Sequence, residues 1–289
     1  MPSEIIQLTV GGILLGGIYG LAAMGLSVSF GVLRILNLAH GEFLMVGSLI
    51  TYALFVSLGV NPFLGALLLI PIFILLGAGF YWVLLKPIAR KPARDMLTAS
   101  VLVTLGIALA VEDLTAFLWE RPVTGIAYSL PPLEIGGVVV SSVRVLILIF
   151  ICCMAAAFHV FLRTTFAGKA VRAITQCRDG AEIVGVDIAR IAAWTFGLGA
   201  AAAGAAGAFY VTLFTVTPAM GIPLTVKYMC VVVLGGLGSL IGSVLGGLIL
   251  GLSEAAAAYW IGPEWSPCVA FLLLIVILIA KPEGFFGSR

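Results

Sequence analysis

The chain consists of apolar runs, each long enough to cross a lipid bilayer, with little between them. A hydrocarbon core of about 30 Å needs roughly 20 apolar residues per helix. Runs of that length fall at roughly 5–33, 38–59, 63–86, 97–118, 143–162, 188–212, 225–258 and 266–280. Lipid offers no water to satisfy free peptide groups, so a crossing segment must bond its own backbone as a helix. The expected architecture is all-α and polytopic, one transmembrane domain over residues 1–289, with eight or nine membrane helices. The seventh run is too long for one crossing. Its Gly-dense stretch VVVLGGLGSLIGSVLGGLILGL (231–252) fits either one broken helix or two short ones.

Charge scarcity supports the same class. Only 10% of residues are charged, against about 25% in soluble domains. A net charge of +2 gives no case for nucleic acid. The opening MPSEIIQLTVGGILLGG has no basic region or cleavage signal and reads as the start of the first span. The five Cys are scattered without C-x-x-C spacing and read as small hydrophobes. No metal site is expected from the two distant His, His40 and His159, and no catalytic motif is present. G-x-x-x-x-G-K-[ST] is absent, so the chain is not expected to bind ATP or any other cofactor itself.

Twelve of the fifteen Lys and Arg residues fall in four segments: Arg34; Lys86, Arg90, Lys91 and Arg94; 163–190; and Lys281 and Arg289. If those segments are cytoplasmic, the N-terminus is outside and 119–142 is an external loop, irregular or a short hairpin. Arg121, Arg144 and Lys227 are the other three. A cytoplasmic C-terminus requires an odd number of crossings, which favours breaking the seventh run in two.

The segment RTTFAGKAVRAITQCRDGAEIVGVDIAR (163–190) stands apart. It holds eight of the 28 charged residues between two apolar spans. Its composition favours short helices punctuated by Gly180 and Gly185. Val171, Ala173, Ile174, Ile183 and Val184 could pack such a helix onto a partner, and Arg172 and Arg178 could pair with acidic groups. A charged loop resting on headgroups is the plainer alternative.

Ionisable groups within spans cost at least about 2.5 kcal/mol and so need a reason. Arg34, Asn37, His40 and Glu42 cluster in FGVLRILNLAHGEFLMVG. They read as a helix cap at the cytoplasmic interface, with Asn37 capping the second helix, or as a gate. Glu112, Asp113 and Glu254 read as interfacial or as polar lining of the pathway, and Lys227 as snorkelling outward. Gly235, Gly236 and Gly238 read as helix packing or as backbone lining a pathway. That pathway is expected to be small and apolar, without a charged binding site.

NLAHGEFLMVG (37–47), G-K-A-x-R-A at 168–173 continuing through AEIVGVDI (181–188), and GGLGSLIGSVLGG (235–247) resemble the permeases of branched-chain amino acid ABC importers, most closely the LivH type, over essentially the whole chain. The resemblance implies an ABC importer permease fold in an inner (plasma) membrane. The implied partners are a second permease of the M type, two cytoplasmic ATPases that use the ATP, and an external binding protein. It also implies that 163–190 receives the ATPase movement, with Gly168, Lys169, Ala170, Arg172, Ala173, Ile174, Ile183 and Gly185 at the coupling site. Sugar permeases share a looser version of this loop. An ion-coupled secondary transporter would need intramembrane acids near the midplane, and a channel would need a repeated filter motif.

Overall fold

The computed structural model describes residues 2–89, 91–119, 123, 125–135, 138–281 and 284–286. Arg90, Arg121 and Arg289 lie outside the described residues. Among the described residues nine helices are long and apolar enough to cross a membrane. They are α1 (Pro2–Leu33), α2 (His40–Leu58), α3 (Pro62–Phe80, continued by a π turn Tyr81–Leu85 and a last turn Lys86–Ile88), α4 (Ala93–Leu118), α5 (Ser142–Thr164), α8 (Ile188–Leu213), α9 (Gly221–Gly235, preceded by a 3-10 turn Pro218–Met220), α10 (Leu240–Trp260) and α11 (Ser266–Ala280, preceded by a 3-10 turn Pro263–Trp265). Two short helices, α6 (Phe166–Gln176) and α7 (Arg178–Ile183), lie between α5 and α8. A hairpin of β1 (Leu133–Ile135) and β2 (Val138–Val140) pairs Leu133 with Val140, within the loop expected to be irregular or a hairpin.

The mostly buried α1 and α8 form the centre, while α4, α5 and α11 are largely exposed at the perimeter. Small residues explain this division. Lipid gives helices no hydrophobic reason to associate, so they gain by close backbone contact. The α8 stretch GLGAAAAGAAGA (197–208) lets α1, α2 and α3 approach: Gly199 faces Gly25, and Gly204 faces both Gly47 and the Phe73 ring. Along the other side of α1, Gly12, Gly16 and Gly20 meet Gly247, Gly251 and the backbone of Leu248 on α10. A Cβ at Gly16 would lie 2.7 Å from the Leu248 Cα, so this seam tolerates no side chain.

The long seventh run does break. Gly236 and Gly238 adopt left-handed φ of 94° and 85°, and the Ser239 side chain caps α10 by accepting from the Gly242 N–H at 3.0 Å. The C-terminal segment then returns to α9, where the Phe285 and Phe286 N–H groups donate to the Leu234 and Gly235 carbonyls at 2.9 and 3.2 Å. The final carbonyls of a helix otherwise lack partners.

Among the described residues the nine spans place 89, 91–92, 165–187, 236–239, 281 and 284–286 on one face, together with the end of α1. The described Lys and Arg of the four basic segments therefore share this basic face. The opposite face holds 59–61, the hairpin, 214–220 and 261–265, and there Val123 bridges Val216.

Candidate functional site

On the basic face, 163–190 folds as an elbow locked onto its own bundle. Thr165 caps α6 by accepting from the Gly168 N–H at 3.1 Å. Gly168 sits directly on the end of α5, where a Cβ would fall 2.1 Å from the Leu162 carbonyl oxygen. The Arg172 guanidinium donates to the Leu162 and Arg163 carbonyls, two of the groups that α5 leaves unpaired at its C-terminus. The G-K-A-x-R-A spacing is thus a clamp. Glycine permits backbone contact, and one turn later arginine closes it. Arg172 thus has a role within the chain as well as an exposed position on the basic face.

The apolar anchors also divide differently from the expectation. Ala170, Val171 and Ile174 are buried, the last two in a cluster with Val28, Val32 and Leu162 of the bundle. Ala173 is half-buried and Lys169 exposed. Ile183, in contrast, is 85% exposed, with Val184 at 76% and Phe166 at 81%. Arg178 is exposed beside them. Gly185, at φ 85°, closes α7: its N–H bonds the Glu182 carbonyl, and that of Val186 bonds the Ala181 carbonyl. This pattern needs a left-handed residue. Asp187 then caps α8 through the Arg190 N–H at 3.0 Å. The face presented outward is therefore Phe166, Ile183 and Val184, while Ile174 belongs to the core.

Of the cluster at 34–42, Arg34 stays at the end of α1, while Asn37, His40 and Glu42 are buried inside the bundle. Arg34 ends α1 with φ 52° and remains exposed. The chain then turns back into the bundle. His40 Nε2 donates to the Ala22 carbonyl at 2.9 Å. Ala22 precedes the end of α1 by about 16 Å at 1.5 Å per residue. The Leu38 N–H reaches Thr104, in the middle of α4. So α2 begins part-way through the membrane. Its N-cap is Ala39 without a side-chain cap; Asn37 instead accepts from the Ala39 N–H, which corrects the expected cap. Thr225 holds this start to α9, accepting from Gly41 at 2.7 Å and donating to Leu38 at 2.9 Å. Glu42 is buried against the Cα of Gly221, and among the described residues neither of its oxygens has a hydrogen-bond partner.

The pairing of two residues singled out from the sequence, Lys227 and Glu254, was missed by sequence reasoning. Glu254 is 2% exposed and lies inside the bundle. Its Oε1 is 2.8 Å from Lys227 Nζ, and its Oε2 accepts from Lys227 at 3.1 Å and from the Tyr19 hydroxyl at 3.0 Å. Lys227 thus points inward rather than snorkelling out, and the expectation of an interfacial Glu254 is overturned. This ion pair borders a cavity of about 480 Å³ that also touches Arg144, Tyr210, Phe214 and Pro263, on the side opposite the elbow. The Tyr228 ring stands edge-on to both Tyr19 and His40, linking the cavity to the α2 start.

The remaining residues sit elsewhere. Gly235 packs against Gly242 and Gly236 forms the turn, so both serve packing and chain reversal. Gly238 borders a separate cavity of about 500 Å³ beside Arg172 and Thr175 on the basic face. Glu112 is half-buried and Asp113 exposed, near the opposite end of α4.

Residues 8–278 match the family described as the permease component of the branched-chain amino acid transport system. Among similar proteins, the high-affinity branched-chain amino acid transport system permease protein LivH of Escherichia coli K12 is 29% identical, covering 98% of this chain and 95% of its own. BraD of Pseudomonas aeruginosa, named for the same transport, is 28% identical with the same coverage. A probable branched-chain amino acid transport permease LivH of Methanocaldococcus jannaschii is 23% identical over 96% of this chain and 91% of its own. In fold, the chain is similar to PsaBC of Streptococcus pneumoniae, solved in complex with a Fab. The TM-score is 0.52 at 13% identity, covering 99% and 98% of the two chains.

Proposed function

This chain belongs to the family of permease components of branched-chain amino acid transport systems, and from that membership we infer that it is the membrane-spanning permease subunit of an ATP-driven importer of branched-chain amino acids. It is a multi-pass membrane protein and a transport subunit, not an enzyme. Relatives named for branched-chain amino acid transport favour this substrate class over sugars. In this reading it resides in an inner (plasma) membrane with the basic face toward the cytoplasm. Its partners are an M-type permease, two ATPases that bind and hydrolyse the ATP, and an external binding protein. The chain itself holds no cofactor.

The observation that carries the mechanism is the elbow. A segment meant only to connect α5 and α8 needs neither a backbone-tight Gly168 nor an arginine closing the end of α5. A segment that transmits force needs both. Rigid fixation of α6 to α5 passes displacement to the spans, while the outward Phe166, Ile183 and Val184 offer apolar contact to a soluble partner. The test is reconstitution in proteoliposomes with and without the ATPase subunits and loaded binding protein. Leucine uptake is expected only with ATP and all partners. Uptake driven by an ion gradient without the ATPases would overturn the reading.

A further inference from the structure

We infer that Lys227 and Glu254, steadied by Tyr19, form a handover site for the charged head of an amino acid that enters through the cavity opposite the elbow. This rests on the import function proposed above and names the groups that would meet the substrate.

A buried ion pair needs a reason beyond stability. Desolvation consumes most of its attraction, and well-packed apolar residues often serve as well or better. Lipid sharpens the point, because an ionisable residue inside a membrane protein usually marks a pathway. This pair does not sit in a sealed core. It borders a cavity of about 480 Å³, within the range of roughly 300–1,000 Å³ typical of small-molecule sites. Lys227 is 18% exposed and Glu254 only 2%, so the ammonium is the outer charge and the carboxylate the inner one.

The lining suits one class of ligand. An α-amino acid is a zwitterion carrying both charges on one carbon, and Lys227 with Glu254 presents the complementary charges side by side. Arg144 adds a second cation at the wall, and Leu14, Leu213 and Phe214 supply apolar surface for an aliphatic side chain. The exchange is nearly balanced. The incoming carboxylate meets Lys227 while the ammonium meets Glu254, and the internal pair loosens in return. Such a site recognises without holding tightly, as release toward the opposite face demands. Tyr19 donates to Glu254 throughout and keeps the carboxylate oriented when Lys227 turns to the ligand.

The test uses the complete reconstituted complex with leucine-loaded binding protein. The double variant Lys227→Met/Glu254→Gln removes both charges at nearly constant volume and leaves no lone charge buried. We expect unchanged assembly and unchanged ATP hydrolysis stimulated by the loaded binding protein. Uptake per ATP should fall about tenfold or more, the scale of one lost charge-assisted hydrogen bond. Wild-type uptake in the double variant overturns the inference and leaves the import function standing. Absent uptake in the wild-type complex would instead defeat the function itself. If the double variant fails to assemble, Glu254→Gln alone decides, since it retains an acceptor for Tyr19. Lost uptake with retained stimulation supports the site. Normal uptake, or failure to assemble here too, makes the pair structural and rejects it.

Discussion

Ile174 and Ile183 are the same residue type within one elbow, nine positions apart, and truncating each should break a different property. Ile174 is 4% exposed among Val28, Val32 and Leu162. Removing three of its carbons leaves a cavity in a packed cluster, and such truncations cost about 2–5 kcal/mol. Ile174→Ala should therefore lower the thermal stability of the isolated permease in detergent. Ile183 is 85% exposed and touches little of its own chain. Its truncation should leave permease stability within about 0.5 kcal/mol, as for most surface changes. If it anchors an ATPase, however, the complex should weaken by about 2 kcal/mol, the scale of a central interface residue. That corresponds to roughly a 30-fold loss of affinity.

The assay is paired. Melting of the permease alone reads the first effect; co-purification of the ATPases and their stimulation by loaded binding protein read the second. The expected pattern is crossed: Ile174→Ala melts early, while Ile183→Ala melts normally but loses its ATPases. A stronger form, Ile183→Asp, places a charge where an apolar contact is expected. Normal co-purification and stimulation in Ile183→Asp would refute the outward-face reasoning and return 163–190 to a charged loop on headgroups.

Gly168→Val should destabilise the elbow by about 2 kcal/mol or more through overpacking against Leu162; Lys169→Ala should not, and melting curves separate them. Gly247→Leu should abolish monodisperse yield in size-exclusion chromatography, because a Cβ there falls 2.5 Å from the Gly20 backbone nitrogen, whereas Gly11→Ala, with no atom within 4 Å, should behave as wild type. Lys169→Cys in a cysteine-free background should react with an impermeant maleimide only when the inner face is accessible. Labelling in intact cells would invert the proposed orientation.

The membrane helices were legible because lipid demands long apolar runs, and such runs survive reading without any partner in view. That the run at 225–258 breaks followed from its 34 residues, too many for one crossing, and from the odd count that a cytoplasmic C-terminus requires; its place at 236–239 did not. The elbow was legible as an anomaly of charge, but the direction of its apolar side was not. Helical periodicity says which residues share a face, and cannot say whether that face meets the bundle or the world outside. Ala170, Val171 and Ile174 turned inward because Gly168 and Arg172 fix α6 on the end of α5. The depth of Asn37, His40 and Glu42 was illegible for a similar reason. Polar side chains near a predicted helix start read as interfacial, yet His40 finds its acceptor in the carbonyl of Ala22, far from any loop.

The ion pair could have been found from the helical hairpin, had its register been drawn. Across the glycine turn Gly235 meets Gly242, and Val231 lies opposite Gly246. Continuing that antiparallel pairing puts Lys227 opposite Leu250, about one helical turn from Glu254, a gap that a four-carbon side chain spans. Read separately, the two charges looked like residues at the outer ends of two spans, each seeking water. Read in register, they are neighbours inside the bundle. The small residues that allow α9 and α10 to approach therefore do two things at once. They bury the helices against each other, and they bring one cation and one anion together beneath a cavity. A substitution that shifts this register, such as Gly246→Leu against the Val231 carbonyl, should separate Lys227 from Glu254 without touching either, so the packing and the polar site have one cause.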